Sequence, residues 1–205
     1  MHYENAKKML LLGKHVLCEK PLVFSKEQAI ELYDIAESRA LSLKEAIKTA
    51  YCPGFAKIED VVGRGVIGDV VDVEAAFTRL TTPPCREFSP EAFGGSFTEF
   101  GSYTLLPIFR FFGTEFDEMK FWYIRDSSGV DGYAKAEFVF GSSRRDADSV
   151  GNAALGFATA RTGLTAKSEG QLVITGTKGY ILVPSPWWLT RYFEVRHEDP
   201  DQIEK

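Results

Sequence analysis

Beyond Gly113 the sequence is a succession of strand-like runs, and that succession limits what the chain can fold into more than any other feature. The runs lie at 117–125, 132–140, 152–161, 167–175, 179–183 and 190–197, with turn signals Ser-Ser-Gly, Gly-Ser-Ser and Gly-Thr-Lys-Gly between them. Short alternating segments punctuated in this way predict a large, mainly antiparallel sheet. The polar stretch SSRRDADS, 142–149, reads as a hairpin tip or mobile loop. The preceding part supplies the helices. PGFAKIEDVVGRGVIG predicts a helix that stops at its glycines, and SFTEFGSYTLLPIFRFF, 96–112, predicts a strongly apolar helix kinked at Pro107. Between them DVVDVEAAFTRL sets Val70, Asp72 and Glu74 against Val71, Val73 and Ala75, as a half-buried strand does. TTPPCREFSPEAFGG is a loop punctuated by three prolines.

The first fifty residues have a different rhythm. HYENAKKMLLLGKH places Ala6, Met9 and Leu10 on one helix face and closes on Gly13, without an N-capping side chain. HVLC is a short strand. SKEQAIELYDIAESRA carries Ser25 as N-cap, Gln28 three residues on, and Ala29, Leu32, Tyr33 and Ala36 at helical spacing. LSLKEAI alternates as a second strand. Helix–strand–helix–strand with short connections is the second half of a doubly wound α/β sheet. The fold class expected is therefore α/β plus α+β: the C-terminal half of a Rossmann-type domain over residues 1–50, then an α+β domain over 51–205 with a large, mainly antiparallel sheet and helices on one face.

Composition sets outer bounds. A chain of 205 residues suits one large domain or two small ones. A net charge of −5, with no Lys/Arg run, argues against nucleic acid as partner. Cys18, Cys52 and Cys85 are odd in number and form no Cys-x-x-Cys, so reduced thiols are expected rather than a disulfide framework or zinc site. His2, His15 and His197 have no metal-ligand spacing, and no metal is expected. No stretch approaches the ~20 apolar residues of a membrane span. Lys, His and Glu interrupt the apolar run of residues 1–20, so the chain reads as cytoplasmic, with no membrane partner.

HVLCEKPL, 15–22, runs an apolar strand straight into Glu19, Lys20 and Pro21. At the C-terminal edge of a parallel sheet, a strand-terminal residue points into the crevice where ligands of open α/β sheets bind. A lysine there can donate hydrogen bonds to a substrate oxygen or shift its proton affinity, while Pro21 fixes the turn. Taken alone, such a tripeptide after a strand is more often an exposed turn.

The wider context resembles the glucose–fructose oxidoreductase/inositol dehydrogenase (Gfo/Idh/MocA) family. GKHVLCEKPL, the helix after it and the strand ending in Glu45-Ala46 carry the first part of the likeness. GVIGDVVDVEAAF resembles the family's first strand of the C-terminal domain. GGSFTEFGSYTLLPIFRFFG resembles its Gly-Gly-x-x-x-Asp-x-Gly-x-His/Tyr helix, and GTKGYILVPSPWW its Gly-Thr-x-Gly turn and strand. The four segments occur in the family's order and span nearly the whole chain. The resemblance implies an NAD- or NADP-dependent oxidoreductase that transfers hydride between the nicotinamide and a hydroxyl carbon of a sugar, polyol or dihydrodiol. It places Glu19, Lys20 and Pro21 beside the cofactor, Lys20 also near the reacting hydroxyl, and Tyr103 as general acid/base. Glu99 stands where the family usually has Asp and would orient the substrate. Residues four apart share a helix face, so Glu99 and Tyr103 can meet one polyol. Tyrosine's ordinary pKa is about 10, and a nearby lysine cation would help it act at neutral pH. Lys48 and Tyr51, in EAIKTAYCPGF, fall on a loop that lines the cleft in the family. The family's C-terminal sheet commonly forms the dimer contact, which implies a homodimer or higher oligomer.

Other candidates read as structure. Trp187 and Trp188 suit packing at the sheet or a subunit contact, and Arg79 and Arg86 read as solvated flanks of the proline-rich loop. GRGVIG lacks the strand–GxGxxG–helix order of a dinucleotide loop. The family's fingerprint lies on the first βα turn. By the resemblance this chain begins after it, two units short at about 30 residues each. The expectation is poor NAD(P) binding or none by this polypeptide, and exposed edges on its first two strands. The alternative to an enzyme is a catalytically inactive truncated fragment acting only as a binding and dimerisation module.

Overall fold

The first unit of the chain, residues 1–48, is built from two helices and two short strands. In the computed structural model residues 1–141 and 155–198 are described; the stretch 142–149 and the start of the run at 152–161 lie outside the described residues. Helix α1 (His2–Leu11) starts without a side-chain cap, and α2 (Lys26–Ser38) starts at Ser25, whose extended backbone lets its hydroxyl accept from the Gln28 N–H at 3.4 Å. Strands β1 (Val16–Cys18) and β2 (Leu43–Glu45) pair in parallel, with Val16 opposite Leu43 and Cys18 opposite Glu45. Parallel partners need a crossover, and α2 is that crossover. The core is Ala6 and Leu10 of α1, Leu32 and Ala36 of α2, Leu22 and Leu43. Met9 and Tyr33 share the predicted stripes but are exposed, because helical spacing marks the centre of a buried face better than its width.

The second unit, residues 49–205, begins with α3 (Pro53–Gly63), with proline at the first helical position, where its missing N–H has no helical partner to lose. Strand β3 (Val70–Thr78) leads through two 3₁₀ turns, Arg86–Phe88 and Pro90–Ala92, into α4 (Ser96–Phe112), which continues through the buried Pro107. Six strands follow: β4 (Glu118–Arg125), β5 (Asp131–Phe140), β6 (Gly156–Gly163), β7 (Leu172–Gly176), β8 (Gly179–Val183) and β9 (Glu194–His197). They join β3 in a seven-stranded sheet of order β4-β5-β6-β3-β7-β8-β9.

The sheet is mainly antiparallel, as expected, but its central pair β3–β6 is parallel. The connection explains this. Helix α4 carries the chain from β3 to the far edge without reversing strand direction, and the two reversals β4–β5 and β5–β6 return β6 beside β3 in the same sense. The alternation expected in β3 also fails locally. The register shifts between Val70 and Asp72, so Val70 and Val73 are both buried while Val71 is only partly so, as an inserted residue requires. The expected runs at 167–175 and 190–197 are shorter strands, starting at Leu172 and Glu194 after Gly170 and the Trp187–Leu189 turn.

Helix α4 covers one sheet face, packing on β3, β5 and β6. Small side chains beneath it (Ala134, Ala136, Ala158, Ala160) admit the helix, while Phe112 stacks on Phe140 at 4.7 Å and Phe109 meets Phe138 edge-on at 5.7 Å. Trp187 is wholly buried and donates its indole N–H to the Ala76 carbonyl at 2.8 Å, pinning the Trp187–Leu189 turn to β3. Among the described residues no helix is long and apolar enough to cross a membrane. Trp187→Ala removes a buried ring and leaves that carbonyl unpaired; a loss of about 3–5 kcal/mol in urea unfolding is expected.

Candidate active site

Functional side chains occur in both units, and each set is fixed by its own local structure. In the first unit the Glu-Lys-Pro loop leaves the C-terminal end of β1. The Ala46 N–H donates to the Cys18 carbonyl at 2.7 Å, and the Leu22 N–H donates to Glu45 Oε1 at 3.0 Å. Glu45 thus ties the far side of the loop to the end of β2, holding residues 19–21 between two anchors. Glu19 is exposed, Lys20 and Pro21 are partly buried, and the Lys20–Pro21 peptide is cis. The Cys18 thiol is pushed up from its ordinary pKa by burial, with smaller contributions from Glu45 and Glu19. Lys48 closes this unit and is exposed.

In the second unit the start of α4 is defined by close approach. A Cβ on Gly94 would lie 2.5 Å from the Glu87 carbonyl oxygen, and one on Gly95 would lie 2.1 Å from Asp131 Oδ1. Gly95 also sits at φ +134°, where a side chain is strained. The cap that a glycine cannot supply comes from β5. Asp131 Oδ2 accepts from the Phe97 N–H at 2.8 Å and the Ser96 hydroxyl at 2.7 Å, and Ser96 also lies 2.9 Å from the Thr162 hydroxyl.

Glu99 and Tyr103 follow one turn apart on this anchored helix. The Glu99 carboxylate, 17% exposed, meets the Arg86 guanidinium at 2.5 Å, while Arg86 is 55% exposed. Glu99 in turn holds the Arg86 guanidinium still further above its ordinary range. A second pair repeats the design: Arg79 reaches Glu87 at 3.2 Å and lies 5.7 Å over the Phe100 ring. The Glu87 carboxyl is held below its usual range, chiefly by backbone hydrogen bonding. Arg79 and Arg86 are therefore not merely solvated flanks of the loop, because each is held by a largely buried carboxylate.

Tyr103 is 8% exposed and packs against Phe77 at 5.4 Å. Phe77 is stacked between Phe100, at 4.2 Å, and Trp188, at 3.5 Å. The turn bearing Tyr51 is fastened to the same column. Thr49 donates its hydroxyl to the Trp188 carbonyl at 2.8 Å, the Cys52 thiol lies 3.6 Å from the Thr190 carbonyl, and Tyr51 itself is exposed. The second unit thus brings Glu99, Tyr103, Arg86 and the Trp188–Phe77–Phe100 column into one continuous packing. Among the described residues no group of three or more His, Cys, Asp or Glu could hold a metal ion.

Residues 1–46 match the oxidoreductase family with an NAD-binding Rossmann fold. The scyllo-inositol 2-dehydrogenase (NADP(+)) of Bacillus subtilis is 31% identical over 140 residues, 64% of this chain and 42% of that protein. The Gfo/Idh/MocA oxidoreductases are therefore the family that this chain resembles. Within the family, the trans-1,2-dihydrobenzene-1,2-diol dehydrogenase of Xenopus laevis is 29% identical over 178 residues, 86% of this chain and 50% of that protein. A solved structure of a 3-ketoreductase from Actinomadura kijaniata, in complex with NADP and TDP-benzene, superposes with a TM-score of 0.76 at 22% identity, over 97% of this chain and 59% of that one. The chain therefore spans about half the length of these Gfo/Idh/MocA proteins.

Sequence reasoning missed Glu45, Glu87 and Asp131 as positioning residues. Glu45 had a signal, as a carboxylate ending a strand that pairs in parallel with the strand before Glu-Lys-Pro; Asp131 had none. Gly129 and Gly95 both have positive φ, but only Gly95 abuts Asp131. Gly95→Ala is therefore expected to destabilise the protein by about 1–3 kcal/mol more than Gly129→Ala, measured by thermal or urea unfolding.

Proposed function

We propose that the protein serves NAD(P)-dependent interconversion of an alcohol and a ketone at a hydroxyl carbon of a sugar, polyol or dihydrodiol. The observation that carries this reading is the helix face bearing Glu99 and Tyr103, anchored at its start by Asp131 and backed by aromatic rings. The relatives support it, since an inositol dehydrogenase, a dihydrodiol dehydrogenase and a ketoreductase all work between hydroxyl and carbonyl carbons.

Bound NAD(P) would supply or accept the hydride. The residues that fit its nicotinamide end are Glu19, Lys20 and Pro21, because the anchored turn after β1 presents them at the C-terminal edge of a parallel strand pair. Lys20 contributes positive charge and hydrogen-bond donors there. Tyr103 takes the hydroxyl proton during oxidation and returns it during reduction. Its ring is largely buried against Phe77, which fixes the side chain's direction. Glu99, held by Arg86, accepts a hydrogen bond from a neighbouring substrate hydroxyl and so fixes which carbon faces the proton carrier. Lys48 and Tyr51 are assigned to the substrate side. The assembly is a homodimer or higher oligomer through the C-terminal sheet.

Fluorescence titration with NADH and NADPH tests the cofactor part. Saturable micromolar binding, weakened about tenfold in Lys20→Ala, is expected from the loss of a charged hydrogen bond. No binding up to millimolar cofactor would overturn the enzyme reading and leave the binding and dimerisation module in its place. Tyr103→Phe tests the chemistry: with scyllo-inositol or a trans-dihydrodiol as substrate, turnover should fall about 10²–10⁴-fold while cofactor binding is unchanged.

A further inference from the structure

Two arginines stand beside the helix turn that carries Glu99, and both turn the same side outward. Arg79 follows β3 and pairs with Glu87 at 3.2 Å, while Arg86, in the first 3₁₀ turn of the connection, pairs with Glu99 at 2.5 Å. In each pair the carboxylate is tucked in, at 17% exposure, and the guanidinium stands out, at 56% for Arg79 and 55% for Arg86. Glu87 feels both cations, so the four groups form one row of alternating sign, Arg79–Glu87–Arg86–Glu99. The acids are its inner members. Solvent meets the guanidiniums.

Neither guanidinium is fully engaged. Each carries five N–H donors in a planar fork. Arg86 gives Nη2 to Glu99 and Arg79 gives Nη2 to Glu87, and among the described residues Nε and Nη1 of both have no hydrogen-bond partner. The Phe100 ring, 5.7 Å from the Arg79 guanidinium, restrains it from the protein side. The loop's remaining acid, Glu91, is turned to the Ser89 hydroxyl at 2.9 Å. Folding stability does not account for this arrangement, because half-exposed ion pairs add little to it. Holding Glu99 does not account for it either: that would use the fork on both carboxylate oxygens, and a single contact is made.

The row has room for an outer anion. We propose that the substrate carries an anionic oxygen substituent, a carboxylate or a phosphate ester, which the outward donors of Arg86 and Arg79 hold while Glu99 takes a neighbouring hydroxyl. This rests on the alcohol–ketone reading proposed above and adds the charge of its substrate. Glu99 and the anion share one guanidinium, so the anionic group and the hydroxyl that Glu99 orients are near neighbours on the substrate. Polyhydroxy acids and sugar phosphates have that layout. The chain's net charge of −5 repels such molecules in general, so a local pair of cations is what lets one settle here.

Isothermal titration calorimetry of the full chain with D-glucuronate, D-glucose 6-phosphate and D-glucose tests this, because the three differ at a single carbon. It is run with NADPH and without it, so the answer does not depend on cofactor binding. At least one of the two anions should bind about tenfold or more tighter than glucose. Glucuronate in front identifies a carboxylate, and glucose 6-phosphate in front a phosphate ester. Raising salt from about 50 mM to about 500 mM should erode the preference, because the guanidiniums are half exposed. Arg86→Lys keeps the charge and removes the fork, and Arg79→Gln removes the second cation. Each should lower the ratio of anion affinity to glucose affinity, which a purely structural role would leave unchanged. Equal affinity for all three, or binding of glucose alone, overturns the anionic substituent and leaves the alcohol–ketone reading standing. A preference that survives in both variants overturns the assignment to Arg79 and Arg86. Binding of none of the three overturns the proposal, while the NADH and NADPH titration decides separately on the reading beneath it.

Discussion

The seat of α4 on the sheet governs most of what the second unit can do. Four alanines of β5 and β6 make room for the helix, and phenylalanines at its C-terminal end lock it against β5. Its N-terminal end has no side-chain cap of its own, and Asp131 supplies one from the sheet. The helix is thus fixed at both ends to the surface it covers. Glu99 and Tyr103 inherit their direction from that fixation, to which Glu99 adds its ion pair with Arg86 and Tyr103 its packing on Phe77. The paired glycines before the helix are a consequence: side chains there would push the chain away from Glu87 and Asp131 and unseat the cap.

Local chemistry made much of this legible in the sequence. Ser25 followed by Gln28 gives the start of α2, and strands separated by a helix give the parallel pair. The position of Glu99 and Tyr103 on one apolar helix was visible from their spacing and from the resemblance. What could not be seen depends on residues distant in sequence. Asp131 lies 34 positions from the N–H it accepts, and Arg86 lies 13 from Glu99. The parallel pairing of β3 with β6 depends on where α4 delivers β4, which no local pattern encodes. The bulge at Val70–Asp72 left the apolar residues in place and moved only the register.

Around the loop before α4 one rule holds: the largely buried carboxylates Glu87 and Glu99 are held by arginines whose outer faces stay in water. This geometry keeps a carboxylate oriented where a long lysine would let it wander. Asp72 of β3 departs from the rule: burial first, and the neighbouring Glu74 second, raise its pKa.

The column of Trp188, Phe77 and Phe100 has a consequence outside its packing. Trp187 stands nearly perpendicular to Trp188 at 6.1 Å, and Trp188 stacks on a phenylalanine that also touches Tyr103. Aromatic transitions held this close and at fixed angles couple to one another. The protein therefore carries a built-in optical signature, in near-ultraviolet circular dichroism, of the neighbourhood in which Tyr103 sits.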